Sequence, residues 1–239
     1  MGILSAIFSG EGISAIFESI LYTLPAVLIA LTFHEFAHAY VAYKNGDPTA
    51  RNLGRMTLNP LAHLDVWGFV CMLLVGFGWA KPVPVNPNNY RNYKKGELTV
   101  SLAGVTMNLI IGIIGALASA ITRYVATNNG YYYYDIVNGI GAAGKIYYVF
   151  LNLCRINCAL MVFNLIPIYP LDGYHVFEVL LGRVISPGVF EFLRKYGQMI
   201  LLIVIFVGNR SGFSLVGYLT QYVADGLLYA SDWLVSLFV

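Results

Sequence analysis

His34, Glu35 and His38 stand in the order H-E-x-x-H, the spacing by which a helix presents two imidazoles to one metal ion. Four residues advance a helix by about 400°, so the two histidines share a face, about 6 Å apart along the axis. Glu35 is turned by about 100° and can reach the side of the metal where a bound water would lie. The chemistry this pattern suits is metal-assisted hydrolysis, in which imidazoles hold the ion and a carboxylate moves protons. Such a site needs a third protein ligand and an open position for water. Asp172, in Asn164-Leu-Ile-Pro167-Ile-Tyr-Pro170-Leu-Asp172-Gly173, is the candidate. Asp172-Gly173 alone reads as an ordinary turn, but the H-E-x-x-H segment makes the ligand reading the better one. His63 is the rival ligand, although a lone histidine in a polar loop is usually just solvated.

The segment that carries the histidines is itself unusual. From Leu21 to Val41, His34, Glu35 and His38 are the only acidic, basic or imidazole groups. Those 21 residues are long enough to cross a hydrocarbon core of about 30 Å. Ionisable groups in a membrane helix are costly and mark functional sites. Composition agrees: the 239 residues are 58% hydrophobic and 11% charged, against about 25% charged in soluble domains. With a mean hydropathy of +0.69, this predicts a polytopic membrane protein. The length fits one membrane domain over 1–239, with a core at about 21–207 and a peripheral C-terminal helix at 213–239. Gly2–Ile20 carries Glu11 and Glu18 but no Lys or Arg, so no cleavable signal peptide is expected. The net charge of +2, spread over loops, gives no reason to expect a nucleic-acid partner. Cys154 and Cys158 read as buried small hydrophobes rather than metal ligands.

The first span, 21–43, closes at Lys44-Asn45-Gly46, a left-handed cap signature. A polar loop covers 45–63. Val66–Ala80 is apolar but only about 15 residues long and ends at Lys81-Pro82, which predicts a re-entrant segment. Leu98–Thr122 is a span of 25 uncharged residues, with Gly112, Ala116 and Ala120 at the spacing that lets membrane helices approach closely. Asn128–Asp135 is a turn with four tyrosines, as at a membrane–water interface. Further spans are expected at Ile146–Ile166 and Phe190–Val207, with a short helix at Val176–Leu181. Leu215–Val239 reads equally as a span or an interfacial helix. Lys44, Arg51, Arg55, Lys81, Arg91, Lys94, Lys95, Arg183, Arg194 and Lys195 fall in three stretches that the positive-inside rule assigns to the cytoplasm. That side then holds the ends of the spans nearest to His34, His38 and Asp172.

These motifs resemble the site-2 proteases, a family of intramembrane zinc metalloproteases, and in particular their compact prokaryotic branch without PDZ or CBS domains. H-E-F-A-H-A at 34–39 matches the family's metal helix, and N-x2-P-x4-D-G at 164–173 matches its second motif. Gly46-Asp47-Pro48-Thr49-Ala50, Gly54–Pro60 and Gly78–Val85 look like loop signatures of this branch. The family's usual Gly-Pro-x-x-Asn is here Gly104-Val105-Thr106-Met107-Asn108, without the proline. The resemblance implies an all-α helical core with a short membrane-associated β element. It further implies one zinc ion per chain held by His34, His38 and Asp172, with Glu35 as the catalytic base and Asn164 and Asn108 lining the site. The implied partners are a transmembrane protein substrate and the lipid bilayer of the cell membrane.

An extended substrate needs something to hold it, since a helix cannot be cleaved while its carbonyls are bonded internally. In Trp79–Val85, Pro82 and Pro84 remove the donors of one edge while Val83 and Val85 keep theirs. That edge could pair with substrate or, equally, with Gly54–Leu58 of the chain itself. Asn164 could hold Asp172, stabilise an oxyanion, or simply bond between helices, and the last reading is the stronger one for Asn108 and Asn157. Arg155 has no partner in the sequence. A transporter would spread polar residues through its spans, whereas here they concentrate at one depth. A silent binding protein would normally have lost Glu35 or a ligand.

Overall fold

The computed structural model describes residues 12–76, 78–211 and 215–238, with Ile3, Ile7 and Gly10, and over 205–211 the backbone alone. Three helices are long and apolar enough to cross a membrane: α1 (Ile13–Asn45), and two others, Tyr93–Asn128 and Gly141–Asn164. Between the first two lie the short α2 (Thr49–Asn52) and α3 (Val66–Val75), so Tyr93–Asn128 is α4. A single turn of helix, α5 (Tyr133–Val137), precedes α6 (Gly141–Asn164). The chain ends in α7 (Asp172–Leu181), α8 (Pro187–Ser211) and α9 (Leu215–Ser236). This is a multi-pass, all-α membrane protein. The spans at α4 and α6 fall where hydropathy places them, while α1 begins eight residues before Leu21.

Helices α1 and α4 run antiparallel, with Ala26 near Ile111 at one end and Ala42 near Val100 at the other. Helix α6 returns antiparallel to α4. A Cβ on Gly115 would lie 2.6 Å from the Cys154 nitrogen, so these backbones are as close as they can come. Small residues at the crossing are what permit that distance in a membrane, where packing replaces the hydrophobic effect. Ala116, Cys154 and Cys158 form one buried cluster, as their apolar surroundings suggest. Ala224 of α9 completes it, so the C-terminal helix packs against α4 and α6.

Helix α1 stops at Gly46, whose φ of 109° only glycine adopts readily. Its N–H bonds to the Tyr43 carbonyl, and that of Asp47 to Ala42. The chain re-enters the bundle at this same end, where the Arg91 N–H donates to the Asn45 carbonyl at 2.9 Å. Helix α3 has ten residues, about 15 Å, half of a hydrocarbon core. Its chain turns at Gly76 and comes back: Leu64 and Ala80 form an antiparallel bridge, and the Lys81 N–H donates to the His63 carbonyl at 2.8 Å. The two arms touch backbone to backbone, since a Cβ on Gly68 would meet the Trp79 carbonyl oxygen at 2.1 Å.

The expected β element is reduced to that one bridge among the described residues. Residues 81–85 do not form a backbone ladder with Gly54–Leu58. Pro82 and Pro84 have no donors to offer, and the Arg55 guanidinium holds the Lys81 and Pro82 carbonyls instead, at 2.7 and 3.2 Å. The loops at 45–63 and 81–97 are thus tied together. Single cysteines at Asn52 and Asn88, in a chain freed of Cys71, Cys154 and Cys158, should react alike with a membrane-impermeant thiol reagent in sealed vesicles. Opposite labelling would make Val66–Ala80 a crossing.

Candidate metal centre

Three helices bring His34, His38 and Asp172 to one point. His34 and His38 lie one turn apart on α1 and are buried by α4. Asp172 is the first residue of α7, delivered by the loop that leaves α6 at Asn164 and passes Pro167 and Pro170. The His34 and His38 Nε2 atoms are 3.0 Å apart, and they lie 3.4 and 3.3 Å from Asp172 Oδ2. Tetrahedral zinc with bonds of about 2.0–2.1 Å separates its ligand atoms by about 3.3–3.4 Å, so the triangle has the right size.

The hydrogen bonds around the triangle fix its chemistry. His34 Nδ1 faces Asn108 Oδ1 at 2.6 Å, and His38 Nδ1 faces the Val100 carbonyl at 2.8 Å. Both partners are acceptors, so each Nδ1 carries the proton and each Nε2 presents a lone pair. Asp172 Oδ2 is buried with no hydrogen-bond partner. Two lone pairs and a carboxylate oxygen therefore converge without a donor, which is costly unless a cation sits among them. The donor set, two imidazoles and one carboxylate, is of the kind found in catalytic zinc sites.

The ring orientations are supported from further out. Asn108 donates to Asn157 Oδ1 at 2.8 Å and to the Ala30 carbonyl at 3.3 Å, which turns its own oxygen towards His34. Asn157 in turn donates to the Leu153 carbonyl of α6 at 2.8 Å. The interhelical bond expected of these two asparagines is present, and the chain of bonds ends on His34. Gly104 sits over the site: a Cβ there would meet His38 Nε2 at 2.4 Å and His34 Cε1 at 2.5 Å. Sequence reasoning kept Gly104 only as part of a motif, and Val100, acting through its carbonyl, leaves no sequence signal. Gly173 matters for closeness, since a Cβ there would lie 2.4 Å from the Leu165 carbonyl oxygen. Across α7, His175 Nδ1 and Glu97 Oε1 pair at 2.8 Å and dock the helix that carries Asp172 onto α4.

The other expected residues are less uniformly placed. Glu35 is buried beside the histidines, and its Oε2 accepts the Val83 N–H at 2.7 Å. The Val83 donor is therefore committed, whereas Val85 is partly exposed and its N–H meets no acceptor among the described residues. Asn164 spends its amide on the Leu160 carbonyl at 3.0 Å, one turn back on its own helix. His63 is buried away from the triangle and bonds the Thr57 carbonyl through Nε2 at 2.8 Å. Arg155 is exposed on α6.

A membrane-embedded bundle with a two-histidine, one-aspartate centre and a buried glutamate beside it defines a metallohydrolase. The chain belongs to peptidase family M50, which it matches over residues 22–208. It is 36% identical over 185 residues to the Bacillus subtilis protein named "Putative zinc metalloprotease YwhC", covering 76% of this chain and 78% of that one. It is 26% identical to "Putative zinc metalloprotease Rip2" of Mycolicibacterium smegmatis, over 87% of this chain and 74% of the relative. "Zinc metalloprotease MJ0392" of Methanocaldococcus jannaschii is 27% identical over 71% of this chain and 37% of its own length. No solved structure matches. The protein is a zinc metalloprotease.

If the Asn157–Asn108–His34 relay sets the first ligand, Asn108→Ala should weaken zinc binding about 10- to 100-fold. Chelator competition on the purified protein checks this, with bound zinc counted per chain. Unchanged affinity would mean that His34 is oriented by packing alone.

Proposed function

We propose that the chain is an intramembrane protease that hydrolyses peptide bonds within or beside transmembrane segments of other membrane proteins. The observation that carries this reading is the depth of the donor-free triangle. His38 and His34 lie seven and eleven residues before the end of α1, about 10 and 16 Å into the bundle. The basic residues Lys44, Arg51, Arg55, Lys81, Arg91, Lys94 and Lys95 gather at that same end. At the far end, Arg123 and Lys145 are each offset by a carboxylate, Asp232 and Glu18, and Tyr131–Tyr134 are exposed as an interfacial belt. This distribution supports a site opening towards the cytoplasm, with Val66–Ala80 re-entrant from that side.

His34, His38 and Asp172 hold the zinc, and Glu35 is the general base. Zinc, when bound, lowers the pKa of a coordinated water towards 7 and polarises the scissile carbonyl. Glu35 Oε2 is held by Val83, and its second oxygen takes the proton from the attacking water and later hands it to the leaving amine. Substrate enters extended, and Val85 N–H is the donor left for pairing with it. One membrane domain over 1–239 carries all of this.

Glu35→Gln should keep the zinc and the fold while cleavage falls by about 10²–10⁴, the usual worth of general-base catalysis. The assay is cleavage of a single-span peptide bearing a fluorophore–quencher pair, co-reconstituted with the enzyme in liposomes. Proteolysis retained by Glu35→Gln would end the assignment of Glu35 as base.

A further inference from the structure

We propose that the Val83 amide is a positioning group for Glu35 and that Asp47 is the buried anchor that keeps it in place. This rests on the reading of Glu35 as the proton carrier. A glutamate has three rotatable side-chain bonds, and proton transfer needs its oxygen within about 2.6–3.2 Å of the water. The Val83 N–H holds one carboxylate oxygen at 2.7 Å, and this fixes where the other one points. A charge-assisted bond of this kind is stronger than a neutral one and directional.

The donor is useful only if Val83 itself cannot move, and the chain around it is secured on every side. Pro82 and Pro84 fix the backbone before and after it. Arg55 clamps the two preceding carbonyls. The Val83 side chain is buried with Ala39 of α1 and Ala50 of α2, with Met56 against them.

On the far side, the Asp47 carboxylate takes the Asn86 N–H at 2.7 Å through Oδ2. Its Oδ1 takes Asn89 Nδ2 at 2.8 Å and the Thr49 N–H at 3.1 Å, with the Thr49 hydroxyl as a further donor. Asp47 is fully buried, and burial by itself would raise its pKa. The bonds from Thr49, Asn86 and Asn89 outweigh burial and hold it below the ordinary carboxylate value, so it is an ionised anchor. Asp47 directly follows the glycine cap of α1, the helix that carries Glu35. One helix therefore grips residues 83–89 at two points, once through its base and once through its cap. No sequence rule links Asp47 to Glu35, because the link runs through a backbone N–H.

Two substitutions at one position separate the donor from the side chain. Val83→Ala keeps the N–H and loses two methyl groups, whereas Val83→Pro loses the N–H. In the liposome assay, Val83→Pro should lower kcat about 10- to 100-fold relative to Val83→Ala, the scale expected when a reacting group is misplaced. KM should change by less than about threefold, with zinc content and melting temperature matching those of Val83→Ala. Asp47→Asn should lower kcat in the same way, and it decides the matter if Val83→Pro does not fold. Equal kcat for folded, zinc-loaded Val83→Pro and Val83→Ala overturns the proposal, as does unchanged kcat in Asp47→Asn. Higher kcat in Val83→Pro also overturns it, since Val83 would then restrain Glu35. Glu35→Gln separates the two readings: if it is active, the general-base reading has failed, and if it is inactive, only the Val83 proposal is at stake.

Discussion

The structure depends on placing three electron-pair donors within 3.4 Å of one another in an apolar bundle without a proton between them. In water such a cluster would be solvated, but here desolvation makes it unfavourable until a cation arrives. The surroundings turn the Nε2 atoms of both rings towards the cluster. Asn108 and Val100 present acceptors to both Nδ1 atoms, which keeps the protons on the outer nitrogens. The polar residues placed in the spans of α4 and α6 serve the same end, since Asn157 bonds Asn108 and Asn108 bonds His34. Metal binding and assembly of the helices are thereby coupled.

That convergence requires helices closer than ordinary side chains permit. Gly104 leaves room for the two rings, Gly115 lets α4 reach the α6 backbone, and Gly173 lets α7 lie on the Leu165 carbonyl. In hydrocarbon there is little apolar driving force between helices, so close contact and interior hydrogen bonds carry the association. The same economy appears in the hairpin of 64–80, where Gly68 and Gly78 bring two arms into backbone contact.

Much of this was legible in the sequence, and the reasons differ by residue. H-E-x-x-H at 34–38 announces itself because ionisable groups are rare in an apolar span. Gly46 announces its cap, and Gly112 and Ala116 announce their crossing, because small residues have few other uses there. Asp172 became persuasive only beside the histidines. Partnerships made by backbone groups were not legible: the Val100 carbonyl on His38 and the Val83 N–H on Glu35 depend on register, which side-chain identity does not encode. For the same reason the sequence left the 79–85 strand equally open to pairing with substrate or with 54–58, whereas the Arg55 side chain takes the Lys81 and Pro82 carbonyls. Asn164 matched a motif, yet its amide closes on its own helix.

The central claim is that His34, His38 and Asp172 form a zinc centre of two imidazoles and one carboxylate. X-ray absorption at the zinc edge of the purified wild-type protein tests this most directly. The account predicts one zinc per chain, with nitrogen and oxygen neighbours at about 2.0–2.1 Å, the multiple-scattering pattern of two imidazoles, and no sulfur at about 2.3 Å. A sulfur shell, a single imidazole, or a protein that retains no zinc when purified without chelator would contradict it.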